Sequence, residues 1–387
     1  MMNDKLYTQQ NGFTLVEIMI ALLIGVFSLI VIYSVFVGSE RARRSITATN
    51  NAQMNGLYSL YVINEVIGGA GSGFIANGPF LNNCPNDPMT DTNTSDATLS
   101  VRPLIAVIES GRDSNDDSSN DTIHVLSGTS SLYAQPFTEL SNINNFDVTI
   151  ANSIGLKQSD VVVSITPTTC RLYRVSTEND STTGRTPLEA GTGNTKITLN
   201  GTTALDSNTK SLIDVGEPEH ITFRVDDDNV LKMEQWRVND NGSTWQQYRT
   251  DVIASNVVGF YAQYGIDNTR NGMIDRWVNA VTSSDDDWSS DYIIDNPLQT
   301  SGMAWIRAVR IAIIIQEDEP EKVVAGVTPD QQTVTVFQDC PQAGACDGPI
   351  TRTFSRPANS ALNWKYKKYE TVITMKNAVW NAPRIPQ

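Results

Sequence analysis

The segment from residue 267 to residue 275 has the residue types of a loop that binds a hard cation. It reads DNTRNGMID, so most of its alternate positions carry side-chain oxygens, and a glycine stands at the sixth position. Calcium loops use this arrangement because Ca²⁺ takes six to eight oxygen ligands around a sharp turn, with a backbone carbonyl from the seventh position. The ligands predicted for such a site are Asp267, Thr269, Asn271, Met273 and Asp275.

This loop departs from the calcium pattern at several positions. Thr269 and Asn271 stand where carboxylates are usual, and Val278 occupies the twelfth position, where an EF-hand needs a bidentate glutamate. An EF-hand is therefore excluded. A degenerate calcium loop, closed by Asp275 and an acidic group from residues 285–287, is one interpretation, and an Asx-rich hairpin turn without metal is the other. Calcium is thus a candidate ligand, and the sequence establishes no cofactor.

The chain has four cysteines and two histidines. The cysteines form no C-x-x-C pair, so a zinc site with the histidines is not indicated. An even number of cysteines in a chain that crosses a membrane favours disulfides in an oxidising compartment. Of the three pairings we favour Cys340 with Cys346 and Cys84 with Cys170, and four reduced thiols are the alternative.

Enzyme signatures are missing from the sequence. His124 and His220 do not lie beside a nucleophile motif such as G-x-S-x-G, and both are expected to be ordinary strand residues. The sequence also lacks a P-loop, a G-x-G-x-x-G after a strand and an H-E-x-x-H. We therefore expect the protein not to be an enzyme.

The net charge of the chain is −15 at pH 7. Non-specific binding to nucleic acid depends on Lys and Arg neutralising phosphates, so this charge argues against a nucleic-acid partner. The acidic runs at residues 226–228, 285–287 and 317–321 are interpreted as solvated turns.

Residues 13–37 form an apolar segment with one charged residue, Glu17. As a helix this segment is roughly 37 Å long, enough to cross the hydrocarbon core of a membrane. A cleaved secretory signal fits less well, because its apolar region runs only about 7–15 residues. A carboxylate inside the membrane costs on the order of 2.5–3.5 kcal/mol, and the segment holds no cation to pair with it. A positive group from another copy or another subunit would offset this cost; snorkelling or protonation of Glu17 are the alternatives.

The twelve residues before Phe13 are polar and end in Gly12, so the apolar segment begins with the pattern GFTLVE. This pattern resembles the processing signature of type IV prepilins. The resemblance implies that a prepilin peptidase cuts after Gly12 and methylates the new N-terminal Phe13. It also implies that Glu17, with Thr14 in the same motif, serves assembly. In that family the glutamate pairs with the N-terminal amine of a neighbouring subunit.

The rest of the chain predicts one helix and many strands. The helix is expected from about residue 14 to residue 66, because no proline interrupts it and a cluster of glycines follows from residue 68. Short β-like runs between polar loops predict strands at 122–126, 161–165, 171–175, 220–225, 230–237, 257–264, 306–315, 333–337 and 366–374. Segments rich in Ser, Thr, Asn and Asp at 82–100, 111–121 and 177–208 are predicted to be long loops.

These elements predict an α+β fold, and the resemblance implies that it is type IV pilin-like. We expect a long N-terminal helix, its first half transmembrane, to pack on an antiparallel β-sheet domain with long loops. The expected organisation is a leader peptide at 1–12, the transmembrane half of the helix at 13–38, its periplasmic half at 39–70, and a β-rich globular domain at 71–387.

Two C-terminal stretches indicate which family of type IV pilins the chain resembles. Residues 252–267, then an Asp/Asn/Gly loop and residues 305–315, are similar to the PilW family of minor pilins, as is the closing stretch YETVITMKN at 369–377. Lys376 stands where that family more often has an arginine. Nothing specific is identified between about residues 82 and 212.

The resemblance implies a structural subunit that helps to initiate type IV pilus assembly at or near the filament tip. Its implied partners are the major pilin, other minor pilins, the prepilin peptidase, the inner-membrane assembly platform and, as a further candidate, a tip adhesin. The implied location is the inner membrane, with the large domain in the periplasm, and then the pilus. A type II secretion pseudopilin is one alternative function, and a tip adhesin or receptor is another.

The charges that flank the apolar segment favour the opposite membrane orientation of the large domain. Arg41, Arg43 and Arg44 follow it and only Lys5 precedes it, which by charge alone would place the large domain in the cytoplasm. Long domains translocate largely regardless of flanking charge. The expected periplasmic orientation therefore depends on the resemblance, which places the peptidase on the cytoplasmic side.

Overall fold

The computed structural model describes residues 13–72, 106–111, 119–130, 136–166, 170–176, 192–201, 203–239, 245–269, 271–281, 288–289, 293, 305–322, 331–338, 347–356 and 362–376. The chain divides into two compact units, Met1–Asn51 and Ala52–Gln387. The helix α1 (Leu15–Gly68) begins in the first unit and ends in the second. The predicted long N-terminal helix is therefore confirmed.

In the first unit the apolar side chains of α1 are exposed from Phe13 to Phe36. Within the described part of the chain, α1 is the helix long and apolar enough to cross a membrane. Its two serine hydroxyls in this stretch bond back to the helix: Ser28 Oγ donates to the Ile24 carbonyl at 2.8 Å, and Ser34 Oγ donates to the Val31 carbonyl at 2.8 Å. These polar groups are thus satisfied without water, as a lipid environment requires.

The second unit is built on β-strands. In chain order they are β1 (Val107–Glu109), β2 (Thr122–Ser127), β3 (Pro136–Phe137), β4 (Leu140–Asn144), β5 (Asp147–Asn152), β6 (Val161–Ile165), β7 (Cys170–Val175), β8 (Thr192–Asn200), β9 (Ser211–Gly216), β10 (Glu219–Val225), β11 (Leu231–Val238), β12 (Trp245–Ala254), β13 (Val257–Ile266), β14 (Arg276–Asn279), β15 (Ile306–Gln316), β16 (Glu321–Lys322), β17 (Gln331–Val336), β18 (Ile350–Ser355), β19 (Leu362–Asn363) and β20 (Tyr366–Thr374).

Each of the nine predicted strands corresponds to an observed strand, and every strand pairing in the described residues is antiparallel. The predicted loop at 177–208 is wrong in part, because β8 occupies Thr192–Asn200. Ile197 and Leu199 are buried there, while polar residues alternate with them. The Thr- and Asn-rich composition of β8 concealed this period of two.

The strands form three larger sheets. The five-stranded sheet has the order β1-β2-β10-β11-β12, the four-stranded sheet β14-β13-β15-β20, and the seven-stranded sheet β3-β9-β6-β7-β8-β5-β4. Two short pairs, β16-β19 and β17-β18, complete the described architecture.

The main core lies between the C-terminal part of α1, the five-stranded sheet and the four-stranded sheet. Ile63 and Ile67 of α1 are fully buried there with Phe223 of β10, Phe260 of β13 and Ile311 of β15. The other face of β15 is covered as well, since Ala312 and Ile314 lie in a cluster with the β17-β18 hairpin. Coverage on both faces explains why β15 is almost continuously apolar rather than alternating.

The seven-stranded sheet has apolar clusters on two sides. Val162, Tyr173 and Leu212 contribute to one cluster. Val163 and Ile213 contribute to the other, which includes residues of the five-stranded sheet. The polar face of the five-stranded sheet is consequently covered in part, which buries the side chains of its two histidines.

Candidate functional site

Thr14 caps the N-terminus of α1. Its Oγ1 accepts a hydrogen bond from the Glu17 backbone N–H at 3.3 Å, and its carbonyl oxygen accepts from the backbone N–H groups of Glu17 and Ile18 at 3.1 and 3.3 Å. A threonine followed three residues later by glutamate is the pattern of a capping box. A carboxylate in the first turn also interacts favourably with the positive end of the helix dipole. Thr14 and Glu17 therefore specify where the helix begins, a signal that was readable in the sequence.

Phe13 and Glu17 lie on one face of the exposed helix. That face continues at steps of four residues through Ala21 and Gly25, whose small side chains leave a shallow apolar groove. An added Cβ at Gly25 would meet no atom within 4 Å. Phe13 itself is 77% exposed. The face thus offers one carboxylate and an open apolar surface to another helix.

Among the predicted processing residues, Gly12 lies outside the described residues, and Phe13 is the first residue described. The cleavage and methylation of this bond stay predictions, as does the assembly role of Glu17.

The five predicted calcium ligands lie in one turn between β13 and β14. The Asp267 carboxylate is buried and accepts hydrogen bonds from the backbone N–H groups of Asn271 at 3.1 Å and Gly272 at 2.9 Å. Its Oδ2 also lies 3.3 Å from Nε of the buried Arg307. The Asp275 carboxylate accepts from the backbone N–H of Thr269 at 2.8 Å and from its hydroxyl at 3.1 Å.

These contacts are those of an Asx-rich turn, because backbone amides and Arg307 already engage the carboxylate oxygens. Met273 is exposed, and its backbone N–H donates to Asn271 Oδ1 at 2.8 Å. Residues 285–287, the predicted closing acids, lie outside the described residues. In the described part of the chain no three His, Cys, Asp or Glu side chains group as a metal site. Calcium binding stays a prediction.

The predicted disulfides fall largely outside the described residues. This applies to Cys84, Cys340 and Cys346, while Cys170 is the first residue of β7 and its side chain is not described. Both pairings stay predictions.

The two histidines lie in strands, as predicted, but they also contact each other, which sequence reasoning missed. His124 on β2 and His220 on β10 have Nδ1 and Nε2 3.3 Å apart. His124 Nε2 lies 3.2 Å from Oε2 of Glu109 on β1. Burial lowers the pKa of His220 to about 3, and the neighbouring His124 adds to this effect. The pairing of β2 with β10 brings these residues together across 96 positions of sequence, a separation that local patterns do not bridge.

A second buried polar cluster lies at the start of β6. Burial, followed by the nearby Asp214 carboxylate, raises the pKa of Asp160 to about 6. Burial also raises the pKa of Asp214, whose Oδ2 accepts a hydrogen bond from the Ser130 hydroxyl at 2.6 Å. Arg174 pairs with Glu217 at 2.8 Å beside this cluster and donates to the Ser159 and Val238 carbonyls at 2.7 and 2.6 Å.

Comparison with known families gives two matches. Residues 220–377 match the PilW family, described as type IV pilus-assembly protein W. Residues 7–33 match the prokaryotic N-terminal methylation motif. No curated protein and no solved structure matches the chain.

A methylation motif at the start of a long apolar helix, followed by antiparallel sheets, defines the class of type IV pilin-like proteins. The PilW match includes both C-terminal stretches on which that resemblance was based. The two matches support a type IV pilus-related minor pilin similar to PilW; domains of this kind are structural rather than catalytic, and the matches imply an interaction with the pilus machinery.

Proposed function

We propose that this minor pilin helps to initiate type IV pilus assembly and occupies a position at or near the filament tip. Before assembly it is held in the inner membrane by residues 13–38, with the globular part in the periplasm. The major pilin, other minor pilins and the assembly platform are its proposed partners.

The observation that carries the proposal is the exposed face of α1 on which Phe13 and Glu17 lie together. An apolar helix loses nothing when it leaves lipid for a packed bundle of similar helices, since both surroundings are apolar. On transfer from lipid to the filament, the surroundings of the Glu17 carboxylate change most. In lipid it is unpaired and costly, whereas in a filament the free amine of a neighbouring subunit supplies a counter-charge. Assembly is thereby coupled to removal of the leader, because only cleavage before Phe13 creates that amine.

The capping geometry supports the same mechanism. Thr14 lies after the proposed cleavage site and accepts the bonds that start the helix, so removal of the leader leaves the cap in place. The new amine is then held one residue before the helix start.

The test is incorporation of Glu17→Gln and Glu17→Ala variants into filaments. We expect both variants to accumulate in the membrane and to be strongly depleted from sheared pili in immunoblots. Glu40→Gln is the control, because Glu40 is a partly exposed acid on the same helix beyond the apolar segment, where it pairs with Arg44. Mass spectrometry should find methylated Phe13 as the first residue in the wild type and in the control.

Equal incorporation of Glu17→Ala and the wild type would contradict the assembly mechanism. The initiating role has its own readout: a strain that lacks the protein should carry fewer pili, and a full complement of pili would exclude initiation.

A further inference from the structure

Two ring nitrogens and one hydroxyl oxygen on the covered face of the five-stranded sheet form a nearly equilateral triangle. His124 Nδ1 lies 3.3 Å from His220 Nε2 and 3.2 Å from Thr222 Oγ1, and Thr222 Oγ1 lies 3.4 Å from His220 Nε2. Thr222 is the direct cross-strand partner of His124, and His220 is its diagonal neighbour on the same face. All three residues are buried, His220 to 1% exposure.

We propose that His124, His220 and Thr222 form a binding site for a divalent transition metal of the Zn²⁺ type. Zn–N bonds are about 2.0–2.1 Å long, so two ligand atoms of a tetrahedral zinc lie about 3.3–3.4 Å apart. The triangle has these dimensions. The point equidistant from its corners lies about 1.9 Å from each atom, so an ion just above the plane reaches all three at bonding distance.

One tautomer of the cluster presents its lone pairs to a cation at this point. The Glu109 carboxylate is an acceptor, so it takes the hydrogen bond from His124 Nε2 and leaves Nδ1 with a lone pair. Thr222 has a single hydroxyl proton and can donate it to one imidazole nitrogen at a time. In the tautomer with the His220 proton on Nδ1, two lone pairs and a hydroxyl oxygen face one point; in the other tautomer, His220 Nε2–H donates to His124 Nδ1. A metal ion satisfies all three, and neutral imidazole is a ligand suited to zinc, copper and nickel.

Glu109 has the position of an orienting carboxylate. Metal-binding histidines commonly donate their second ring N–H to a carboxylate, which fixes the tautomer and raises the basicity of the ligand. The 3.2 Å contact between Glu109 Oε2 and His124 Nε2 provides this arrangement. Glu109 is half-exposed, so it can be changed without opening the core.

The metal would join a part of the chain that matches the PilW family to a part that lies before this match. His220 is the first residue of the PilW match, whereas His124 precedes it on β2. The ion would therefore fix the junction between the region that matches PilW and the preceding region, which this match does not include.

The test uses the full chain in detergent, stripped with EDTA and titrated with Co²⁺ and then Zn²⁺. We expect one equivalent of Co²⁺ to give saturable visible d–d absorption of a tetrahedral site, displaced by Zn²⁺, and Zn²⁺ to raise the Tm. Glu109→Gln should weaken the Kd by about 10–100-fold. His220→Gln should abolish saturable binding. Glu139→Gln, the same change at an exposed acid between β3 and β4, should leave the Kd unchanged.

Absence of saturable Co²⁺ absorption in the wild type would overturn the proposal. An unchanged Kd in Glu109→Gln or in His220→Gln would overturn it as well, since binding would then occur elsewhere. Because Glu109→Gln alters only a half-exposed side chain, it provides the test even if His220→Gln does not fold.

Discussion

Gly56 of α1 lies directly against the ring of Tyr369 on β20. A Cβ at residue 56 would lie 2.6 Å from Cγ and Cε2 of that ring, closer than real contacts allow. The helix can approach the four-stranded sheet this closely only because residue 56 has no side chain.

Gly56→Ala should therefore destabilise the protein although alanine is the better helix former. Overpacking costs about 1–3 kcal/mol, which exceeds the gain of at most about 1 kcal/mol from helix propensity. Gly68→Ala is the matched control, because an added Cβ there meets no atom within 4 Å. Thermal unfolding of the detergent-solubilised chain should show a lower Tm for the first variant and an equal or higher Tm for the second. A Tm for Gly56→Ala at or above the wild-type value would contradict the close packing.

The buried ion pair between Asp267 and Arg307 should contribute much more to stability than an exposed pair. Asp267→Ala removes a carboxylate 3.3 Å from a buried guanidinium and should cost about 3 kcal/mol or more. Asp251→Ala breaks the more exposed pair with Arg249 and should cost less than about 1 kcal/mol. Urea unfolding of both variants measures the difference, and equal losses would refute this ranking.

The turn at residues 267–275 is predicted to bind calcium weakly. Binding must compete with the Thr269–Asp275 hydrogen bonds and the Asp267–Arg307 pair, so a dissociation constant of about 10⁻⁴–10⁻³ M is expected. Calorimetry should show saturable heat in the wild type and none in Asp275→Asn. If the wild type gives no heat at millimolar calcium, the turn is an Asx-rich turn and nothing more.

The stability of the folded protein is predicted to depend on pH through Asp160. Its folded-state pKa of about 6 lies above the ordinary value of 3.8, so folding favours the protonated carboxyl. Its favourable contribution is complete below pH 3.8 and is lost as the pH rises through 6. Asp160→Asn, which stays neutral, should match the wild type near pH 4 and exceed its stability near pH 8. Denaturant unfolding at both values tests this, and a stability difference independent of pH would refute it.

The sequence predicted features that depend on local patterns. The apolar run at 13–37, the GFTLVE motif and the nine predicted strands are each readable within a short window, and the structure or the family matches confirm them. The missed features depend on distant residues: the contact of His124 with His220 and the packing of Gly56 on Tyr369 need strand order that the sequence does not state. The Thr14 cap was also missed, although its signal, a threonine three residues before a glutamate, is local.

The position of β15 has a consequence for biosynthesis. This strand pairs with β13 on one side and with β20 on the other, and β20 includes the last described strand residues of the chain. Until β20 has been synthesised, the almost continuously apolar strand β15 presents an open edge, which is a template for aggregation. A nascent or truncated chain that ends before residue 366 should consequently need chaperone protection.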